Sequence, residues 1–533
     1  MRLLGYLGLL FVSAAIGTAQ IHPRDREIFD ADTRSWWHAT EALSNDNMEG
    51  RDTGSAAYQR AAEYVAKRFA SAGLKPAGSS GTWFQNVPMH EFAVTPEGTS
   101  FAFTRTGGAT LQLQFLHEIT LTPTANTPAR LDASLTFRGY CGKDAMINIT
   151  DKVVICFGTQ RTGLPTAGER AANARLGGAF GVISIDDPFF SIEPPRWPYA
   201  YARSVTIREP GGAVMSAKGN PLVSMRLSAE AFAKLVSGTG YDPKALLDAG
   251  GHKRPLPSFE IPGRLHAELH TSQRELSSPN VLGLLPGADP KLQDEYVAVA
   301  AHLDGYGFGT PVNGDKLYNG ALDDAAYVAL LIQMADDLRN GRERNSTELA
   351  GNNMGDHGVT LAPPKRSILF CAFTGEEKGL LGSSYFVRHP TVPLNQIAAD
   401  INLDQLRPLF PLTILTAPGI GLTSLGETTR EVGKSMGIEL RDDRELERGL
   451  LRRADNYPFL HAGVPAIGFV FGFDPGTDAE KRYREWYQVR YHRPQDDAAQ
   501  PMDFQAATKF NSFFYRLTET VADNPVRPSI LAP

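Results

Sequence analysis

Residues 297–324, VAVAAHLDGYGFGTPVNGDKLYNGALDD, decide the fold of this chain. The apolar run at their start predicts a buried strand, which delivers His302 and Asp304 at its end. The closing Gly-Ala-Leu-Asp-Asp contains Asp323 and opens a strongly apolar helix predicted over 325–338. A strand end with His and Asp, followed by a helix start with Asp, is typical of sites in an open α/β sheet.

Three later apolar runs are also predicted strands, and each is followed by polar residues. The run at 367–373 precedes Glu376 and Glu377, and the run at 398–403 precedes Asp404. The run at 466–471 precedes an aromatic and charged segment that contains Tyr491 and His492. Strands that alternate with helices predict an α/β fold with a doubly wound, mainly parallel sheet flanked by helices.

A chain of 533 residues is too long for one compact core, so several domains are expected. We predict that residues 28–130 are the N-terminal part of the main domain and that it resumes over 265–525. Residues 131–260 between them read as a smaller, β-rich α/β module with strands at 152–157 and 179–185 and a helix at 167–176. This module has no His, Asp or Glu cluster with ligand spacing, so no chemistry is assigned to it.

The N-terminus is predicted to be a signal peptide over residues 1–19. Arg2 supplies a basic start, residues 3–16 are apolar, and small residues lead up to cleavage after Ala19. An uncleaved membrane anchor is the alternative, but the apolar run is short for a bilayer span. We therefore expect an exported protein, periplasmic or extracellular, that does not contact the membrane after cleavage.

Composition excludes some classes of function. A hydrophobic content of 42% with 21% charged residues is ordinary for a globular protein, and a net charge of −6 gives no footprint for nucleic acid. Three cysteines are too few for a disulfide framework. A bridge between Cys141 and Cys156 stays open, and Cys371 is expected to be a small buried residue. Oligomeric state cannot be read from the sequence.

The polar residues at the predicted strand ends and helix start form a ligand set of two imidazoles and several carboxylates. Such a set suits Zn²⁺ and differs from the thiolate sets of structural zinc sites. Three protein ligands hold one catalytic zinc, so five ligands with one shared carboxylate hold two. Of the adjacent glutamates, one can bind metal while the other moves a proton. The alternative is structural, since Glu376-Glu377 and Asp323-Asp324 also fit helix N-terminal charges and caps.

The order of the motifs resembles a known family. The motifs are AHLD, GALDD, FTGEEKGLLGS, NLD, RADNYPFLHAGVPA and YHRPQDD, spread over residues 280–500. They look like the co-catalytic zinc metallopeptidases, which include secreted bacterial leucyl aminopeptidases and glutamate carboxypeptidases. The module at 131–260 resembles the protease-associated domain that many members carry as an insertion.

The resemblance implies a role for each matched residue. His302 and Asp404 would bind one zinc, Glu377 and His492 the other, and Asp323 would bridge the two. Glu376 would be the general base, Asp304 would orient His302, and Tyr491 would hydrogen-bond the oxyanion. These roles imply a secreted two-zinc aminopeptidase, in which a zinc-bridging hydroxide attacks the N-terminal peptide bond of a peptide substrate.

The sequence departs from the family pattern at two places. Asp324 stands where the family usually has Asn, which leaves open whether the preceding peptide bond is cis as in relatives. Gln405-Leu406-Arg407 replaces the commoner Met-Ile-Gly, so Arg407, with Arg490, brings positive charge near the predicted site.

These arginines either bind a substrate carboxylate or only face solvent or pair locally. The first case favours a carboxypeptidase or dipeptidase of the glutamate carboxypeptidase kind. A glutaminyl cyclase-like enzyme or a non-catalytic binding protein on the same fold is the third alternative.

Overall fold

The computed structural model describes residues 24–158, 163–188, 202–209, 222–340 and 363–531. The predicted signal peptide lies outside these ranges. Within them, no helix combines the length and apolar character that a bilayer crossing requires.

Most of the described chain lies in strands and helices. The strands are β1 (Lys75–Pro76), β2 (Phe84–Val94), β3 (Ser100–Arg105), β4 (Thr110–Leu113), β5 (Ile119–Thr122), β6 (Arg130–Arg138), β7 (Val153–Phe157), β8 (Gly181–Ile185), β9 (Arg203–Ile207), β10 (Val223–Leu227), β11 (Ser258–Glu268), β12 (Thr271–Leu285), β13 (Tyr296–His302), β14 (Gly307–Val312), β15 (Asp315–Tyr318), β16 (Ser367–Phe373), β17 (Ile397–Asn402), β18 (Ile414–Thr416), β19 (Glu439–Arg441), β20 (Ala466–Gly468) and β21 (Val470–Phe471). The α-helices are α1 (Ala31–Ser44), α2 (Ala56–Ser71), α3 (Ala167–Leu176), α4 (Ala229–Val236), α5 (Pro243–Gly251), α6 (Ala326–Asn340), α7 (Leu381–Arg388), α8 (Leu425–Ser435), α9 (Asn456–His461), α10 (Asp478–Val489) and α11 (Phe504–Asp523).

The first sheet has the order β20-β17-β13-β16-β12-β2-β9, with β1 paired to β12. The four strands from β20 to β16 are parallel, whereas β12, β2 and β9 pair antiparallel. The predicted α/β fold is confirmed, but only half of this sheet is parallel. The sheet is mixed because β12 pairs antiparallel to β16.

Strand β13 shows why these residues form a central strand. Val297, Val299 and Ala301 pack in the core that also contains residues of α1, α2, α6 and α11. Ala298 and Ala300 belong to a separate core on the other face, together with residues of α7 and α9. A strand buried on both faces needs an uninterrupted apolar run, and the sequence provides one.

The second sheet has the order β4-β3-β11-β6-β7-β8-β10-β5 and encloses its own apolar core. Strands β6, β7, β8 and β10 are parallel neighbours. Strands β3, β4 and β5, which precede residue 131, pair here, while β9 from within 131–260 pairs with β2 of the first sheet. The predicted domain boundaries and the protease-associated assignment stay predictions.

The structure shows which of the three cysteines are paired. Cys141 and Cys156 form a disulfide with an S–S distance of 2.04 Å. Cys371 is a free, buried thiol on β16, as its apolar neighbours predict.

Candidate metal centre

The candidate centre lies at the carboxyl ends of parallel strands of the first sheet. Strand β13 ends at His302, β16 is followed by Glu376 and Glu377, and β17 is followed by Asp404. Because neighbouring parallel strands end at the same edge of a sheet, these side chains converge.

The turn before α6 brings Asp323 into the same place. Gly320 has a left-handed backbone with φ of 60°, and a Cβ there would lie 2.4 Å from the main-chain oxygen of Asp323. Asp496 accepts hydrogen bonds from the main-chain nitrogens of Leu322 and Asp323, both at 3.0 Å. The peptide bond between Asp323 and Asp324 is cis, which the sequence left open.

A buried arginine joins the two loops that carry His302 and Asp323. Nε of Arg51 donates to the main-chain oxygen of Leu303 at 2.9 Å. Its Nη1 and Nη2 donate to the main-chain oxygens of Asn319 and Gly320 at 2.6 and 2.8 Å. Neither Arg51 nor Asp496 was singled out from the sequence, because they hold the backbone and carry no ligand spacing.

Asp323 lies between the two histidines. Its Oδ1 is 3.3 Å from Nε2 of His302, and its Oδ2 is 3.6 Å from Nε2 of His492. Oε2 of Glu377 is also 3.6 Å from Nε2 of His492. Three groups have ligand atoms within 4.8 Å of one another: His302, Asp323 and Asp404; Asp323, Glu377 and His492; and His302, Glu376 and Glu377. The first two of these triads share Asp323. The structure thus brings together all five predicted metal ligands, and their roles stay predictions.

Glu376 and Asp304 adjoin the two triads that share Asp323. Oε2 of Glu376 is 3.9 Å from Nε2 of His302. The carboxylate of Asp304 accepts from the main-chain nitrogen of Glu376 at 3.1 Å and from the hydroxyl of Thr53 at 2.8 Å. Nδ1 of His302 lies 3.1 Å from the main-chain oxygen of Asp304 and 3.8 Å from its carboxylate. The main-chain oxygen is therefore the nearer partner for orienting the imidazole.

The centre holds more buried carboxylates than the arginine and histidines beside them can balance. Burial raises the pKa of Glu376 and of Glu377 well above the ordinary value and that of Asp404 to about 6. Burial also acts on Asp323, but the guanidinium of Arg407 and the two histidines hold its pKa below the ordinary value. A divalent cation would supply the charge that stabilises so many buried carboxylates.

Several of the predicted ligand atoms make no hydrogen bond within the protein. Nε2 of His302, Oδ2 of Asp323 and Oε1 of Glu377 are buried and make no hydrogen bond. Buried polar atoms normally have partners, so these atoms are suited to bind an ion. Imidazole nitrogens and carboxylate oxygens are a donor set that zinc accepts. The residues present therefore fit the predicted metal.

A tyrosine that the sequence analysis did not select faces this centre. The hydroxyl of Tyr306 is 3.4 Å from Nε2 of His492 and hydrogen-bonds the carboxylate of Glu377. The predicted Tyr491 instead stacks its ring on His492 at 3.6 Å, and its hydroxyl accepts from Nη2 of Arg453 at 3.1 Å. The only sequence signal for Tyr306 was its place between His302 and Asp323, which defines no spacing rule.

The two arginines considered for substrate binding are differently placed. Arg407 has no exposed surface, and its Nη2 is 3.3 Å from Oδ2 of Asp323. Arg490 donates to the main-chain oxygen of Gln495 at 2.6 Å and lines a surface cavity to which none of the five predicted ligands contributes. Their contact with a substrate carboxylate stays a prediction, which this geometry does not support.

A chain of charges connects the centre with strand β9. Nζ of Lys378, the residue after Glu377, is buried and lies 3.3 Å from Asp52. Asp52 also pairs with Arg203 of β9, and Nε of Arg203 donates to Glu91 at 2.9 Å. Strand β9, which lies in the chain between β8 and β10 of the second sheet, is therefore linked through Asp52 to Lys378, the neighbour of Glu377.

Comparisons with known proteins agree with this location. Residues 280–517 match the profile of peptidase family M28. Aminopeptidase YwaD of Bacillus subtilis (strain 168) is 27% identical over 225 residues, which are 41% of this chain and 40% of that protein. The glutamate carboxypeptidase 2 homolog of Caenorhabditis elegans is 23% identical over 301 residues, which are 51% of this chain and 34% of that protein. Each match spans less than half of the relative's own length.

Solved structures show the same fold over most of the chain. The aminopeptidase from Aneurinibacillus sp. strain AM-1 superposes with a TM-score of 0.58 at 15% identity, covering 94% of this chain and 96% of that one. The zinc aminopeptidase BSAP from Bacillus subtilis gives a TM-score of 0.56 at 18% identity, covering 93% and 96%. The profile match over residues 280–517 confirms the resemblance that the motifs predict, and the family it names is peptidase family M28.

Proposed function

We propose that this chain is a two-zinc exopeptidase that removes residues from the N-terminus of peptides. The observation that carries the proposal is the position of Asp323, whose two oxygens face two different histidines. Each of the two triads that contain Asp323 then has one imidazole, one carboxylate of its own and one oxygen of Asp323. This donor arrangement suits two zinc ions held by five residues.

The chemistry follows from the groups around the two triads. Zinc held there would polarise the scissile carbonyl and lower the pKa of a water molecule toward neutrality. Glu376 is the nearby carboxylate that the two triads sharing Asp323 leave unused, so it takes the proton of the attacking water and delivers it to the leaving nitrogen. The main-chain contact between Glu376 and Asp304 fixes the start of the loop that carries both glutamates.

The direction of cleavage is argued from the arginines and from the relatives. A carboxypeptidase needs a cation that meets the substrate's C-terminal carboxylate. Arg407 is buried against Asp323, and Arg490 lines another cavity, so neither supports that alternative. The matched relative YwaD is named an aminopeptidase, which favours the N-terminal direction for this chain.

We further propose that the protein acts after export. The sequence before residue 20 has the pattern of a cleaved signal peptide. A disulfide between Cys141 and Cys156 also fits an oxidising compartment, since such bonds are rare in the cytosol. Sequencing the N-terminus of protein recovered from the periplasm or medium tests this, and an intact Met1 there would contradict cleavage.

The deciding experiment presents one peptide in three forms to protein loaded with zinc, with products identified by mass spectrometry. The first form has both termini free, the second has an acetylated N-terminus, and the third has an amidated C-terminus. We expect acetylation alone to abolish cleavage, residues to leave from the front, and two zinc ions per chain. Loss of cleavage on amidation alone would establish the carboxypeptidase alternative. One zinc per chain with cyclisation of N-terminal glutamine would establish the cyclase alternative.

A further inference from the structure

Arg407 is the buried cation of the candidate centre, and its position is fixed on several sides. Its guanidinium carbon lies 4.3 Å from the ring centre of Trp486. Its Nη1 donates to the main-chain oxygens of Leu322 and Leu406, both at 2.9 Å. The indole is itself held, because its Nε1 donates to Gln500 at 2.7 Å. The guanidinium therefore cannot swing away from its neighbours without breaking these contacts.

One of the two remaining nitrogens of Arg407 lies close to Asp323. Nη2 lies 3.3 Å from Oδ2 of Asp323, and neither Nη2 nor Nε makes a hydrogen bond. The contact involves only one of the two carboxylate oxygens of Asp323. Oδ2 is the oxygen that faces His492, whereas Oδ1 faces His302. The guanidinium thus lies beside the oxygen that belongs to the triad with Glu377 and His492.

We propose that Arg407 is a positioning residue that makes the two metal sites unequal. It weakens the site formed by Asp323, Glu377 and His492 relative to the site formed by Asp323, His302 and Asp404. The inference rests on the proposed function, because it assumes that Asp323 serves both sites. It goes beyond that function by stating which ion is held less tightly and which side chain is responsible.

The physical reason is the permanent charge of the guanidinium. Arginine stays protonated in proteins, and a charge in a buried site is poorly screened. At Oδ2 it competes with a metal ion for the electron density of the shared carboxylate and repels that ion. The effect on Oδ1 is smaller because that oxygen points toward His302. The second site then fills only at a higher metal concentration.

A purely structural role for Arg407 predicts something else. The centre has an additional buried carboxylate at Asp324, where the resembling family usually has Asn, and Arg407 helps to stabilise it by its charge. If this were its whole role, removing Arg407 would lower stability and leave the ratio of the two metal affinities unchanged. The ratio therefore separates the two roles.

The test is a zinc titration of chelator-stripped protein by calorimetry, with a competing chelator and parallel metal analysis. Wild type should bind two ions in two steps whose affinities differ more than tenfold. In Arg407→Met we expect the weaker step to tighten at least tenfold, so that the steps approach each other. Arg407→Lys retains the charge and should resemble wild type.

Arg448→Met is the matched control. Arg448 is also a buried arginine, stacks 4.6 Å from the ring centre of Tyr487, and pairs with Glu445 at 3.0 Å. The Arg448→Met substitution should leave both zinc affinities unchanged. If Arg407→Met and Arg448→Met give the same ratio of affinities as wild type, the inference is overturned.

Two further variants keep the test informative if Arg407→Met does not fold. Glu377→Gln leaves the site around His302 and Asp404, and Asp404→Asn leaves the site around Glu377 and His492. The single ion should bind more tightly in Glu377→Gln than in Asp404→Asn, and equal or reversed affinities would overturn the inference. Wild-type protein that binds no zinc would overturn the proposed function as well, whereas two equal sites would overturn the inference alone.

Discussion

Both large sheets contain four parallel strands side by side, yet only one gathers a candidate centre. In the first sheet, the ends of β13, β16 and β17 deliver an imidazole and three carboxylates to one place. In the second sheet, β8 ends before Asp186, which pairs with Arg226 of the adjacent β10 at 2.9 Å. Nη1 of Arg170 donates to the main-chain oxygen of Gly158 just after β7.

The difference teaches that parallel strands supply a location and do not by themselves supply a site. At the second sheet, a carboxylate at a strand end has an arginine as partner, so its charge is balanced within the protein. At the first sheet, Nε2 of His302 and Oε1 of Glu377 are buried without hydrogen bonds. Unbalanced donors are what a metal ion can use.

The largest expected effect comes from Glu376→Gln in the first sheet. The amide keeps the size of the side chain but cannot accept the proton of the attacking water. We expect kcat to fall by about 10²–10⁴-fold with unchanged zinc content, measured by peptidase kinetics and metal analysis. Glu260→Gln, a carboxylate on β11 that pairs with Arg138, is the control and should keep full activity. Near-normal turnover in Glu376→Gln would remove its proposed role.

The next largest effect belongs to the second sheet. Replacing both Cys141 and Cys156 by Ser opens a cross-link across 15 residues, which is expected to cost about 3 kcal/mol of unfolding free energy. Hydrogen exchange should accelerate in β7 and β8, while β13 and β17 and the zinc content stay unchanged. Loss of zinc in this variant would show that the two sheets do not behave as separate units of stability.

A smaller effect distinguishes two tyrosines at the first sheet. Tyr306→Phe removes a hydroxyl that faces His492 and Glu377, so kcat should fall about tenfold to a hundredfold, as expected for a hydrogen bond to a charged group. Tyr491→Phe should change kcat less than about threefold, because its hydroxyl bonds Arg453. The opposite ranking would restore the oxyanion role predicted for Tyr491.

The smallest effect is expected for Asp186→Asn in the second sheet. The ion pair with Arg226 is partly exposed, with a third of the arginine side chain accessible, so its loss should cost at most about 1 kcal/mol. The difference in denaturant midpoint from wild type should shrink at high salt, and activity should not change. A large loss of activity would mean that this end of the second sheet also carries chemistry.

The centre was predictable because its residues follow uninterrupted apolar runs. Such runs mark strands buried on both faces, and the residue after each run must lie at the sheet edge. The apolar runs therefore predicted the positions of His302, Glu376, Glu377 and Asp404, and the start of the following helix predicted that of Asp323. His492 was selected from the charged segment that follows the apolar run at 466–471, and the family motifs then implied its role.

Other features were not predictable because they depend on contacts between distant segments. The burial of Arg407 cannot be read from its charge, and Tyr306 faces the centre only because the loop after β13 turns back. Strand pairing also depends on contacts between distant segments. Strands β3 and β5 belong to the second sheet and β9 to the first, since each of these three pairs with a strand far away in the sequence.

The place of β9 has a consequence for how this protein can be divided. Its neighbours in sequence, β8 and β10, are adjacent strands of the second sheet, but β9 itself covers β2 at the edge of the first. Cutting out residues 100–269 as a cassette would leave the main-chain groups of β2 uncovered, and such an edge pairs readily with other chains. It would also take Arg203 from Asp52 and Glu91. Strand β9 belongs to the first sheet, whereas β8 and β10 belong to the second. Replacing the second sheet by that of a relative therefore also requires an edge strand that pairs with β2.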